Sequence, residues 1–175
     1  MLVQYPIPDS YWVVPGKLLA GEYPGAPTEA GARDKLAALF DAGVTCFFDL
    51  TEAGEYNLRP YWPTAQALAQ ARGHSVEHHR LPIRDLSTPS VESMRFILDQ
   101  VDSALTNGAC VYLHCFGGVG RTGTVVGCYL VRHGMTPEAA LAEIATRRQG
   151  TPDGSKRSPE TEPQRAFVRR WQSGQ

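Results

Sequence analysis

The stretch that most constrains the fold runs from Ala109 to Gly123. A short apolar run, Ala109 to His114, reaches Cys115 and breaks at once into Phe116-Gly117-Gly118-Val119-Gly120. Arg121-Thr122-Gly123 then opens a segment with apolar residues at helical spacing: Val125, Val126, Tyr129 and Leu130. An apolar run without polar alternation suits a strand covered on both faces. Glycines let the chain turn tightly from that strand into the helix. The sequence therefore predicts a strand, a glycine-rich turn and a helix in immediate succession.

The rest of the chain repeats the alternation. Tyr11 to Val14 and Lys17 to Ala20 read as short strands around the Pro15-Gly16 turn. Thr28 caps a helix to about Ala42, with Gly43 as its stop. Val44 to Leu50 is a second buried strand, and a helix near Thr64 to Arg72 leads to a strand over Ser75 to Ile83. Thr88, with Pro89 at the first helical position, opens a long helix to about Thr106. Thr136-Pro137 and Ser158-Pro159 start the last two helices. Strands alternating with helices predict an α/β fold: a largely parallel sheet of four to five strands flanked by helices. Ligands sit at the carboxyl ends of the strands in such sheets, which is where Gly117 to Gly120 falls.

Length and composition fit one domain over residues 1–175, at 42% hydrophobic and 20% charged residues. Seventeen basic and 18 acidic residues give a net charge of −1, with no overall pull toward nucleic acid or anionic membranes. No segment has the length of a membrane span. Met1 to Pro6 lacks the basic and apolar regions of a signal peptide, and the C-terminus carries no lipidation box. The expectation is a cytoplasmic monomer without a membrane anchor. Cys46, Cys110 and Cys128 sit in apolar runs and read as buried, inert thiols.

Cys115 differs because of its neighbours. A nucleophile attacking a phosphate dianion must be anionic at neutral pH, whereas a free cysteine titrates near ~8.5. A glycine-rich strand–loop–helix turn favours the thiolate, since successive backbone N–H groups form an anion nest and the helix adds its positive end. The same nest, Phe116, Gly117, Gly118, Val119 and Gly120, would bind phosphoryl oxygens. Arg121 offers a fork that matches two of them. Thr122 is placed to donate its hydroxyl to the thiolate.

On these residues the chain resembles the protein tyrosine phosphatase superfamily, whose signature is H-C-x5-R-[ST]. His114, Cys115, Arg121 and Thr122 match it, and Gly118 falls on the usual glycine. The small size and late motif look like the dual-specificity branch. The resemblance implies a general acid on a loop about thirty residues before the cysteine. Asp85, in Leu81-Pro82-Ile83-Arg84-Asp85-Leu86, has that position. It implies two steps without a metal or other cofactor: Cys115 displaces the alcohol or phenol with Asp85 as acid, then Asp85 activates water against a cysteinyl-phosphate. Expected substrates are phosphorylated proteins, phosphotyrosine first, or small phosphomonoesters.

Asp49 is a rival acid, but its place inside Phe47-Phe48-Asp49-Leu50 reads as a buried structural carboxylate. The segment Ser158 to Val168 resembles one that family members place beside the phosphate loop. Thr161 and Gln164 then line the pocket, or else the segment is a capped helix packing through Phe167, Val168 and Trp171. Thr51 to Tyr56 reads as a solvated loop near the active end, with Glu52, Glu55 and Tyr56 in reach of a substrate. His74, His78 and His79 read as exposed strand histidines rather than metal ligands. The variable loop positions lack the lysines typical of phosphoinositide-directed relatives. A sulfurtransferase, an RNA 5′-triphosphatase and a non-catalytic phosphoresidue-binding module are the competing readings; intact Cys115, Arg121 and Asp85 argue against the last.

Overall fold

In the computed structural model, described for residues 5–175, a five-stranded sheet separates two layers of helices. The element order is β1 (Ser10–Val14), β2 (Leu18–Gly21), α1 (Glu29–Asp41), β3 (Cys46–Asp49), α2 (Trp62–Ala71), β4 (Glu77–Arg80), α3 (Val91–Thr106), β5 (Val111–His114), α4 (Arg121–Arg132), α5 (Pro137–Arg147) and α6 (Glu162–Arg170). A short 3₁₀ turn, Glu55–Asn57, lies between β3 and α2. Strand order is β1-β2-β5-β3-β4, parallel except for the antiparallel β1–β2 hairpin. The signal-peptide reading rested partly on Met1 to Gln4, which lie outside the described residues. No helix among the described residues is long and apolar enough to cross a membrane.

Alternation along each strand loads both faces. Leu19, Phe47 and Tyr112 point to one side and pack with Leu36, Leu39, Phe40, Ala65 and Leu68 of α1 and α2. Leu18, Phe48, Val111 and Leu113 point to the other, toward Met94, Leu98, Val126, Ile144 and Val168 of α3 to α6. Burying one such Leu or Phe contributes about 1.5–3 kcal/mol. This two-sided burial is why the strands lack polar alternation.

Register fixes where the loops emerge. Gly21, His114, Asp49 and Arg80 pair in one row across β2, β5, β3 and β4. They are the last residues of their strands, so the four following loops gather at one end of the sheet.

Two helix starts differ from the sequence expectation. Thr88-Pro89 does not cap α3; Ser90 does, its Oγ accepting the Ser93 N–H at 3.1 Å. Pro89 is thereby left outside the helix. Ser158-Pro159 does not start α6 either, because the Ser158 hydroxyl is engaged by the Val119 carbonyl at 2.7 Å. Thr161 caps α6 in a capping box with Gln164. The β4 strand is also shorter than Ser75 to Ile83; His74 is exposed as expected, but His78 and His79 are only partly so. His78 stacks on Trp62 at 4.9 Å and His79 on Phe48 at 4.9 Å, so both rings are half-buried.

Candidate active site

The loop from Cys115 to Gly120 is held from outside by its carbonyls. The Cys115 carbonyl accepts from His114 Nδ1 at 3.1 Å, and the Phe116 carbonyl accepts from the Tyr23 N–H at 2.8 Å. The Val119 carbonyl takes the Ser158 hydroxyl, and the Gly120 carbonyl takes the Thr124 hydroxyl at 2.8 Å. Among the described residues, no backbone carbonyl engages the N–H groups of Phe116 to Gly120. Carbonyls bonded to surrounding groups leave a run of N–H groups without backbone partners at the start of α4, an arrangement suited to binding anions.

Gly118 is required by two constraints at once. Its φ is +73°, and a Cβ there would lie 2.5 Å from the Gly21 carbonyl carbon and 2.7 Å from the Glu22 nitrogen. The loop therefore docks directly on the carboxyl end of β2.

Cys115 lies at the floor of a pocket of about 380 Å³ lined also by Asp85, Phe116, Gly117, Val119, Gly120 and Arg121. Thr122 donates its hydroxyl to Cys115 Sγ at 3.0 Å. Arg121 is 1% exposed and meets Glu55 in a two-pronged pair, Nη1–Oε2 2.7 Å and Nη2–Oε1 2.6 Å. Nη1 also donates to the Ile83 carbonyl at 3.0 Å, while Nη2 reaches Asp85 Oδ1 at 3.1 Å. Burial alone would lower the Arg121 pKa; the Glu55 bonds and the neighbouring Cys115 and Asp85 outweigh it and raise it. The one unpartnered polar atom of this buried side chain is Nε. An unmatched buried donor costs about 1–3 kcal/mol, and an incoming oxyanion would satisfy it.

Asp85 stands in a turn closed by the Ser87 N–H on the Arg84 carbonyl at 3.1 Å, with Leu86 at φ 59°. That turn aims the carboxylate at the pocket, where the Tyr56 hydroxyl donates to Oδ2. Glu55 and Tyr56 thus form part of the site, correcting the solvated-loop reading; Glu52 is exposed and turned to its own loop, its N–H donating to Glu55 Oε2 at 3.0 Å. No local pattern marked Glu55. The available signal was indirect: a guanidinium at a buried helix start requires an anion, and the β3 loop carries one.

His114 is fully buried, and burial pushes it down to about 4 against the opposing pull of Asp49. Its bonds fit a neutral ring: Nδ1 donates to the Cys115 carbonyl, and Nε2 accepts the Tyr61 hydroxyl at 2.7 Å. Asp49 is 0% exposed, held by Thr51 (2.6 and 2.9 Å), Arg80 (3.0 Å) and His78 (3.3 Å). Burial would raise its pKa, but His78, His114 and Thr51 together lower it. It joins the ends of β3 and β4 and does not face the pocket.

Gln164 does not line the pocket. Its side chain is 0% exposed, its Nε2 donating to the Ser87 carbonyl at 3.3 Å and its Oε1 accepting the Thr161 N–H at 3.0 Å. It packs behind Gly120 and ties α6 to the loop that carries Asp85. Thr161 is the cap of that helix.

On β3 and β4, strand register brings Cys46 Sγ, a Glu77 carboxylate oxygen and a His79 ring nitrogen within 4.8 Å of one another, a grouping their spacing in the chain conceals. Burial pushes the Cys46 thiol up to about 12. Burial also raises Cys110 and Cys128, as expected of inert thiols.

Comparison with known proteins agrees with this geometry. The family described as "Swiss Army Knife protein, DSP-PTPase phosphatase domain" matches residues 8–170. A dual specificity protein phosphatase, CDC14AB of Danio rerio, is 35% identical over 150 residues, covering 82% of this chain and 22% of the relative. The phosphatidylglycerophosphate phosphatase PTPMT1 of Arabidopsis thaliana is 30% identical over 114 residues, 64% of this chain and 34% of the relative. The chain therefore spans only a minor part of these relatives' length. The crystal structure of Tk-PTP in the active form matches with a TM-score of 0.65 at 25% identity, covering 92% of this chain and 94% of that one. Kinase associated phosphatase shares the fold, with a TM-score of 0.69 at 19% identity over 95% of this chain and 93% of that one. The chain belongs to the dual-specificity-type phosphatase-domain family of the protein tyrosine phosphatase superfamily.

Proposed function

We propose that this protein is a cysteine-dependent phosphomonoester hydrolase acting on phosphotyrosine-bearing proteins, with tolerance for other phosphomonoesters. The observation that carries the chemistry is one cluster. A thiol hydrogen-bonded by Thr122 lies under a run of free backbone N–H groups, beside a buried arginine with an unpartnered donor. Phosphate oxygens on the N–H groups and Arg121 would hold phosphorus over Cys115 Sγ. Sγ forms the P–S bond while the ester oxygen leaves with a proton from Asp85. The charge that develops in the transition state falls on donors already in place. As the phosphorus–sulfur bond later breaks, the Thr122 hydroxyl stabilises the departing thiolate.

The preference for an aryl ester is supported by the rim. Tyr56, Leu86 and Phe116 are 61%, 55% and 48% exposed, and all line the pocket. Large apolar groups left in water around a polar floor favour a flat hydrophobic leaving group. A lipid headgroup is the second reading, favoured by the likeness to a phosphatidylglycerophosphate phosphatase. Against it, Lys156 is the one lysine lining the pocket, and Asp153 pairs with it at 2.9 Å.

The test is a panel of phosphotyrosine and phosphoserine peptides beside phosphatidylglycerophosphate and phosphoinositide vesicles, run with wild type, Cys115→Ser and Asp85→Asn. The expected result is highest kcat/KM on phosphotyrosine peptide and none with Cys115→Ser. Asp85→Asn should lose about 100-fold or more on poor leaving groups and far less on p-nitrophenyl phosphate. Higher turnover of either lipid would replace the protein-substrate reading, and full activity of Asp85→Asn would remove Asp85 as the acid.

A further inference from the structure

We propose that Glu160 is a second catalytic carboxylate, which binds the attacking water and takes its proton when the cysteinyl-phosphate is hydrolysed. The inference rests on the phosphatase reading above and divides its two steps between two acids. Glu160 and Asp85 both line the pocket over Cys115. Glu160 Oε2 comes within 3.1 Å of where a Cβ on Gly120 would stand, so it lies against the phosphate loop one residue before Arg121. A side chain at 120 would press on Glu160 Oε2 and on the Gln164 amide, each 3.1 Å from that Cβ position.

The backbone around Glu160 is fixed from both sides. Ser158 is bonded to the Val119 carbonyl, and Thr161 caps α6. The carboxylate itself has no hydrogen bond or ion pair among the described residues. An unpaired anion at the mouth of an anion site opposes substrate binding, so its position calls for a chemical reason.

What separates Glu160 from the other carboxylates at the pocket is that, among the described residues, they are paired and it is not. Asp85 has one oxygen on Arg121 at 3.1 Å and the other on the Tyr56 hydroxyl. Asp153 pairs with Lys156. The amide of Gln164 is buried on Ser87 and Thr161 and does not reach the pocket.

In the step assigned to Glu160, the water oxygen forms a bond to phosphorus as the P–S bond breaks. The electron pair of that bond returns to Cys115 Sγ, beside the Thr122 hydroxyl. One water proton passes to Glu160 and the other stays on the product, so hydrogen phosphate dianion, thiolate and a protonated Glu160 result. Glu160 then releases its proton to solvent.

The experiment is rapid mixing of the full chain with p-nitrophenyl phosphate, comparing wild type and Glu160→Gln. The variant should release one equivalent of p-nitrophenol at the wild-type rate and then turn over about 100-fold more slowly. Acid-quenched variant should carry phosphate on Cys115 by peptide mass spectrometry. Wild-type steady-state turnover without accumulated phosphoenzyme would overturn the proposal, as would an initial release slowed as much as turnover. A wild type with neither release nor turnover would overturn the phosphatase reading beneath it, a distinct result.

Discussion

Protonating His114 would place a charge in a fully buried site between the Tyr61 hydroxyl and the Cys115 carbonyl. Above its ordinary value of 6.5 the imidazole is neutral in folded and unfolded chains alike, and its contribution to stability is fully present. Between 6.5 and about 4 only the unfolded chain takes the proton, so stability falls as the pH falls. The loss by the lower end is on the order of 3 kcal/mol. Asp49, also held below its ordinary value, extends the loss to still lower pH. Chemical denaturation from pH 7 to 4.5 should show a decline in unfolding free energy, and His114→Asn should flatten it. An equal slope in the variant would mean that His114 does not carry the dependence. The same scale shows what sequence conceals. Cys115, Arg121 and Thr122 stand at spacings that chemistry explains, Asp85 at one that the family resemblance implies, and the structure brings all four together. Glu55 and Tyr56 do not, because nothing within the β3 loop states that Arg121 is buried and needs an anion at 2.6 Å.

Among the elements, the proposed phosphate-binding loop is a strand–helix connection pressed onto the end of a neighbouring strand. Gly118→Ala must both leave its left-handed conformation and push the β2 backbone away. The expected cost is about 2–4 kcal/mol in urea unfolding, with loss of turnover. Gly117 has only Val119 near its missing Cβ, at 3.9 Å, so Gly117→Ala should keep near-wild-type stability. Equal stability of the two variants would contradict the docking of the loop on β2. Strands and helices here were largely legible because two-sided burial and helical periodicity act within short windows. Helix starts were not, where two hydroxyls competed. Ser90 displaced Thr88, and Thr161 displaced Ser158 because a tertiary contact to Val119 engaged the latter. The short β4, with His78 and His79 on opposite faces, read as exposed because its partners Trp62 and Phe48 arrive only through strand order and helix packing.

Across the whole molecule, the sheet assembles the site by aligning strand ends. The row Gly21, His114, Asp49, Arg80 sends the loops carrying Glu22, Cys115, Glu55 and Asp85 to one edge, although these residues are distant in the chain. Backbone strain gathers there too. Tyr56, Asn57 and Leu86 are the non-glycine residues at positive φ among the described residues, and Tyr56 and Leu86 line the pocket. Such conformations cost of order 1–3 kcal/mol each and persist where the surroundings over-determine them. Here they hold Tyr56 on Asp85 and present Asp85 to the floor. The proposed chemistry converges on a single covalent event at Cys115. The direct measurement is acid quenching of the protein during turnover of a phosphotyrosine peptide, followed by mapping the phosphate by mass spectrometry. Phosphate on the peptide containing Cys115 in wild type, and none in Cys115→Ser, is the expected result. Turnover by Cys115→Ser, or phosphate captured on any other residue, would contradict it.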